Sequence, residues 1–179
     1  MYTWVALFRG INVGGKNILP MAGLRDILQS QGCQAVRTYI QSGNAVFQSN
    51  VCRPASLTKH VQAAIRDKYG FEPHMLMLSN AEMHAAVEAN PYPEAAAAPK
   101  SLHFFFLSKR VVAPDLLALD HTKAASESYA LIDRVFYLYA PDGIARSKLA
   151  AITEKSLGVA TTARNFRTVE KLVEMITTH

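Results

Sequence analysis

An α+β fold built from two ferredoxin-like units is predicted from three features of the chain. Strand-like and helix-like segments follow one another as βαββαβ through residue 79, that order partly recurs from residue 101, and a proline- and alanine-rich stretch separates the two series. Each unit is expected to form an antiparallel sheet with its helices packed on one face. The expected division is residues 1–79 for the first unit, 80–100 for a helix and linker, and 101–179 for the second unit with a C-terminal helix. The halves share little sequence identity, so the duplication rests on element order alone.

The first strand is the apolar run TWVALF, residues 3–8. A helix follows in which Met21, Leu24, Ile27 and Leu28 share one face, and Gly32 ends it. AVRTYI (35–40) and NAVFQS (44–49) read as strands joined across Gln41, Ser42 and Gly43, where Ser-Gly supplies a hairpin signal. Leu57, Val61, Ala64, Ile65 and Lys68 recur at helical spacing, and residues 74–78 form the fourth strand. Residues 79–90 then read as a helix capped by Ser79 or Asn80, followed by PYPEAAAAP (91–99) as a linker or surface arm.

In the second series LHFFFL (102–107) is a buried strand, residues 114–119 a short helix, and ESYALID with RVFYLYA a tight hairpin. Ser147 caps a helix running to about residue 157, and a short strand is expected at 159–162. Val169, Leu172, Val173 and Ile176 form the apolar stripe of the last helix, with Thr168 as its expected N-cap.

Composition narrows the function classes. Half of the 179 residues are hydrophobic and 18% are charged, which suits a folded chain with a substantial core rather than a disordered one. Lys and Arg number 19 against 14 acidic residues, a net charge of +5 that favours polyanionic partners. Cys33 and Cys52 have no C-x-x-C spacing, so neither redox chemistry nor a zinc site is indicated. No secretion signal is visible and no apolar run approaches the ~20 residues needed to span a bilayer. A cytoplasmic protein without membrane partners is expected.

The most informative segment is RGINVGGKN, residues 9–17, a glycine-rich basic loop between the first strand and the first helix. Gly10, Gly15 and Lys16 match the phosphate-loop pattern G-x-x-x-x-G-K-[ST] until its last position, where Asn17 replaces the magnesium-binding hydroxyl. Ile18, Leu19 and Pro20 further separate Lys16 from the helix start, so nucleotide-triphosphate hydrolysis is not the reading. Either the glycines serve only a tight connection, or the backbone N–H groups with Arg9, Gly10, Asn12, Gly14, Gly15, Lys16 and Asn17 hold an anion.

Topology adds neighbours to this loop. Strands one and two run the same way in a ferredoxin-like unit, so their following loops share an edge, bringing Ser42, Gly43 and Asn44 beside Arg9 and Lys16. Arg37 lies in strand two and joins this edge only if its side chain faces that way. In the second unit PDGIARSK and TTARNFRT, taken to follow the final strand, are expected at one edge, gathering Arg146, Ser147, Lys148, Arg164, Asn165, Arg167 and Thr168. Two helix N-termini beside these cations suit a phosphate or carboxylate. The alternative is that Arg164 and Asn165 tie the last helix to the body; Phe166 reads as core packing rather than a stacking platform.

RGINVGGKN with PMAGLRDILQSQG, VRTYIQSGNAVF, SKL from Ser147 and TARNFRTVEKL together resemble a bacterial family catalogued as domain of unknown function 1697. The correspondence covers essentially the whole chain, with Phe166 where an aromatic, often tryptophan, is expected. The resemblance implies a two-part fold with ferredoxin-like halves and brings no established activity.

Catalytic patterns are missing. His60, His74, His84, His103, His121 and His179 show no metal-ligand spacing, there is no G-x-S-x-G elbow, and Ser42 has no recognisable triad partners. Asp133 and Asp142 are the carboxylates nearest the basic loops, each beside turn-forming residues. The sequence therefore points to a binding protein for a phosphorylated small molecule or a nucleic-acid backbone, without cofactor or metal. An enzyme acting on a phosphorylated or nucleotide-like substrate and a protein-interaction adaptor remain the alternatives.

Overall fold

The computed structural model describes residues 1–178, so His179 lies outside the described residues. The first series forms β1 (Tyr2–Arg9), α1 (Met21–Ser30), β2 (Gln34–Tyr39), β3 (Asn44–Ser49), α2 (Pro54–Tyr69) and β4 (His74–Ser79). Its sheet has the order β2-β3-β1-β4, with every neighbouring pair antiparallel. That is the ferredoxin-like arrangement, and it leaves β1 and β2 parallel to one another without touching.

Burial explains why these segments take these forms. From Trp4 to Phe8 every residue of β1 is buried, as expected for a central strand covered on both faces. Trp4, Ala6 and Phe8 meet Leu24, Ile27 and Leu28 of α1 and Leu57, Val61 and Ile65 of α2 in one apolar cluster. Complete burial of a leucine, isoleucine or phenylalanine side chain contributes roughly 1.5–3 kcal/mol, so the helical stripes dock firmly on this face. By contrast β2 is an edge strand, half-exposed, with a register shift between Gln34 and Arg37.

The helix α3 (Asn80–Glu88) starts from a capping box. Ser79 Oγ accepts from the Glu82 N–H at 3.2 Å, and Glu82 Oε2 accepts from the Ser79 N–H at 2.8 Å. Beyond it the alanine-rich arm contains a short 3-10 helix, Pro93–Ala97, with Ala95 buried.

The second series comprises β5 (Leu102–Leu107), α4 (Leu116–Thr122), β6 (Ser128–Ile132), β7 (Val135–Tyr139), α5 (Lys148–Leu157) and β8 (Thr161–Asn165), followed by α6 (Phe166–Thr177). The sheet order β6-β7-β5-β8 repeats the first topology. Phe105, Leu107, Phe136 and Leu138 pack with Leu119, Leu149 and Leu157 on the helix-covered face. On the other face Phe104 stacks with Phe166 at 5.5 Å and meets the edge of Tyr137 at 4.7 Å, so Phe166 is core packing. The Tyr137 hydroxyl donates to the Ala86 carbonyl at 2.7 Å.

Three local expectations are corrected. The short helix begins at Leu116 because Asp115 Oδ1 accepts from the Ala118 N–H at 3.0 Å, providing an N-cap after Pro114. The last strand runs through Thr161–Asn165 rather than 159–162: α5 ends on left-handed Gly158, the chain then turns, and the Thr161 N–H donates to Glu154 Oε2 at 2.8 Å as pairing with β5 starts. TTARN is therefore the strand itself. Asn165, not Thr168, caps α6, its Oδ1 accepting from the Thr168 N–H at 2.9 Å.

Compact packing divides the chain into Met1–His84 with the segment from Leu172 onward, and Ala85–Lys171. Among the described residues no helix is long and apolar enough to cross a membrane.

Candidate functional site

In the first unit the loop between β1 and α1 is internally braced. Gly14 and Gly15 have φ of 57° and 73°, and the Lys16 N–H donates to the Val13 carbonyl at 3.0 Å. Two consecutive positive φ values make this a primed β-turn, the geometry for which Gly-Gly is suited. The Asn12 N–H donates to the Asn17 carbonyl at 3.1 Å, and Asn17 Nδ2 donates to the Gly10 carbonyl at 2.8 Å.

Asn12 joins the loop to its surroundings. Its Nδ2 donates to the carbonyls of Leu19 at 2.9 Å and Gln41 at 2.8 Å, while its Oδ1 accepts from the Leu19 N–H at 2.8 Å. Gly43 completes the junction: the Phe8 N–H donates to its carbonyl at 2.8 Å, and a Cβ there would lie 2.5 Å from Ile11 Cδ1 and 2.7 Å from Phe8 Cβ. The two loops thus meet at one edge, as the parallel course of β1 and β2 requires.

Side-chain duties within this cluster are divided. The amides of Asn12, Asn17 and Asn44 hold main-chain carbonyls; fully buried Asn44 donates to the Tyr39 carbonyl at 3.0 Å and to Ser42 Oγ at 3.2 Å. Arg9, Gly10, Gly14, Gly15, Lys16 and Ser42 lie exposed around that frame. Val13, Ile18 and Ile40 are also exposed, by 66%, 55% and 49% of their surface, so the edge mixes cations with apolar tips. Arg37 is turned elsewhere, its Nη1 donating to the Thr178 carbonyl at 2.8 Å and its Nη2 to that of Met175.

The charge distribution sharpens this picture. Arg9, Lys16, Arg25, Arg37, Arg53, Lys59, Arg66 and Lys68 are set against only Asp26 and Asp67 in residues 1–70. Beyond that stretch Glu72 pairs with Arg66 at 2.7 Å, and over the whole first unit eight basic residues face five acidic ones, a net charge of +3 against +2 for residues 85–171.

In the second unit Ser147 caps α5, its Oγ accepting from the Ala150 N–H at 2.9 Å, with Arg146 and Lys148 exposed on either side. β7 and β8 are parallel, so the chain after each emerges at the same edge; Arg167 lines a cavity there with Pro141 and Gly143. Arg164 differs from these cations. It sits within β8, its Nη1 donates to the Ala163 carbonyl at 2.8 Å, and burial lowers its guanidinium pKa to about 10, still fully charged at neutral pH. Asn165 and Thr168 are occupied with each other at the start of α6.

The two candidate carboxylates have local duties. Asp133, in the hairpin turn with φ of 50°, pairs with Arg110 Nη2 at 3.0 Å, and Asp142 Oδ2 accepts from Ser126 Oγ at 2.7 Å. Among the described residues no group of three or more His, Cys, Asp and Glu is placed to hold a metal ion.

The whole architecture has a solved counterpart. The conserved bacterial protein SP0830 from Streptococcus pneumoniae superimposes with a TM-score of 0.77 at 24% identity, covering 98% of this chain and 99% of that one. At that identity the likeness concerns the fold. A comparison with curated proteins finds no match. Residues 1–137, carrying the glycine loop, the hairpin after β2, strands β5 and β6 and the start of β7, match the family described as "Protein of unknown function (DUF1697)", and the chain belongs to that family.

Proposed function

We propose that the protein binds the phosphate backbone of a nucleic acid through the loop edge of its first unit. The observation that carries this reading is the braced loop, which holds Arg9 and Lys16 exposed while asparagine amides and a close-packed glycine fix the backbone beneath them. A backbone already fixed beneath the cations needs little ordering on binding, and phosphate contacts dominate nucleic-acid affinity. The first unit as a whole carries a net charge of +3, a modest positive field that favours a polyanion. Exposed Val13, Ile18 and Ile40 add apolar surface that sugars and bases can cover.

The test is titration of labelled single- and double-stranded oligonucleotides across a salt series. Affinity falls linearly on a log-log plot against salt, with a slope of roughly 0.7 per phosphate contact for single strands and 0.9 for duplex. Arg9→Ala with Lys16→Ala weakens binding and flattens the slope by up to about two contacts, with folding retained because both side chains are exposed. Unchanged affinity and slope in the double variant refute the reading. Saturable binding of a phosphorylated small compound, lost in the same variant while oligonucleotides fail to bind, replaces the nucleic acid with a small ligand.

A further inference from the structure

We infer that the second unit carries a separate binding cavity for a small acidic molecule with a compact apolar body, its anionic head held between Lys100 and Arg167. The cavity, about 480 Å³, is lined by Ala98, Pro99, Lys100, Ser101, Ala140, Pro141, Gly143 and Arg167. That volume lies in the usual range for small-molecule sites, roughly 300–1,000 Å³. Its composition is a simple one. Ala98, Pro99, Ala140 and Pro141 supply small apolar walls, and the charged groups are two cations.

Among the described residues neither Lys100 nor Arg167 forms an ion pair, although both are exposed. Asp142, the carboxylate within the segment that forms one wall, is bonded to Ser126 Oγ at 2.7 Å. Asp142 thus pairs with neither cation, and the repulsion between two like charges facing one concavity is reversed by an anion held between them. Arg167 is the second residue of α6, so the positive end of that helix adds to the same field.

The walls are preformed. The Ser101 N–H and Oγ both reach the Ala98 carbonyl, at 2.8 and 2.6 Å, the Ala140 N–H donates to the Ser101 carbonyl at 2.7 Å, and the Gly143 N–H donates to the Ala140 carbonyl at 3.0 Å. These bonds join the arm before β5 to the chain leaving β7, so ligand binding requires little ordering of the backbone. A carboxylate and a phosphate monoester share the required chemistry: charge, acceptor oxygens matched to Lys and Arg, and room for an apolar group beside them.

Benzoate, phenyl phosphate, inorganic phosphate and neutral benzamide distinguish these contributions when titrated into the full chain by calorimetry. Benzoate or phenyl phosphate binds saturably, inorganic phosphate more weakly, and benzamide not measurably. Lys100→Ala and Arg167→Ala each weaken the acidic aromatic probe by roughly tenfold, consistent with loss of one hydrogen bond to a charged group. Arg9→Ala with Lys16→Ala leaves this binding unchanged, which separates it from the nucleic-acid reading. Equal binding of benzamide, retention of affinity in both cavity variants, or failure of every acidic probe at millimolar concentration overturns the inference.

Discussion

The Arg37 guanidinium donates to the Thr178 carbonyl at 2.8 Å although the two residues are 141 positions apart, and its second amino group reaches the Met175 carbonyl. The last carbonyls of a helix have no intrahelical partner, and a cation there also opposes the negative end of the helix dipole. Arg37→Ala is expected to destabilise the protein by about 1–2 kcal/mol in urea unfolding. Amide exchange near the C-terminus should quicken in the same variant; unchanged exchange and stability would show that the contact contributes nothing.

Asn12→Gly keeps a residue tolerant of the φ of 53° but removes three hydrogen bonds, to Leu19 N–H, Leu19 carbonyl and Gln41 carbonyl. A loss of roughly 2–3 kcal/mol is expected because several are partly buried. Oligonucleotide affinity should fall with it even though no cation is removed, and addition of salt should not abolish the stability difference.

Substitution of the glycines separates packing from conformation. Gly43→Ala places a methyl 2.5 Å from Ile11 Cδ1 at a φ of 81°, so a penalty above about 2 kcal/mol is expected. Gly14→Ala and Gly15→Ala meet no atom within 4 Å and suffer only the cost of positive φ, about 1 kcal/mol each. Equal melting temperatures for Gly43→Ala and Gly14→Ala would contradict the close approach of the two loops.

Burial lowers the pKa of His103 from 6.5 to about 4, against a smaller opposing contribution from a hydrogen bond with the Ser101 backbone. The unfolded chain therefore takes up a proton below pH 6.5 that the folded chain refuses. Stability from this residue is complete above pH 6.5 and declines as pH falls toward about 4, by roughly 2–3 kcal/mol in all. His103→Leu should flatten the stability profile between those values; an identical slope in both proteins would assign the pH dependence elsewhere.

Thr162 is fully buried on β8 and its hydroxyl has no hydrogen-bond partner among the described residues. Thr162→Val retains the shape and removes the unsatisfied group, so stability should rise by about 1 kcal/mol. A decrease on chemical unfolding would mean that the hydroxyl is bonded in solution.

Much of the fold was legible because it is written in local periodicity. The stripes Met21, Leu24, Ile27, Leu28 and Leu57, Val61, Ile65 are buried in α1 and α2, and the strand runs pair as expected. Even the meeting of the glycine loop with the Ser42–Gly43 turn followed from strand direction, since parallel strands release their loops at the same edge. The failures lie at boundaries: Asp115 and Asn165 took the caps because their short acceptors reach the third helical N–H, which neighbouring Pro114 and Thr168 concealed.

The succession of elements, the antiparallel topology of each sheet and the edge at which the basic glycine loop emerges are dictated locally, because each follows from residues adjacent in the chain burying one face. Tertiary structure alone decided the use of each side chain. It gave Asn12 to three main-chain groups at positions 19 and 41, Arg37 to the end of α6, Arg164 to a carbonyl within its own strand, and Lys100 and Arg167 to one cavity. Hydrogen-bond partners and cavity walls form only when distant segments close on one another, so they leave no periodic trace in the sequence.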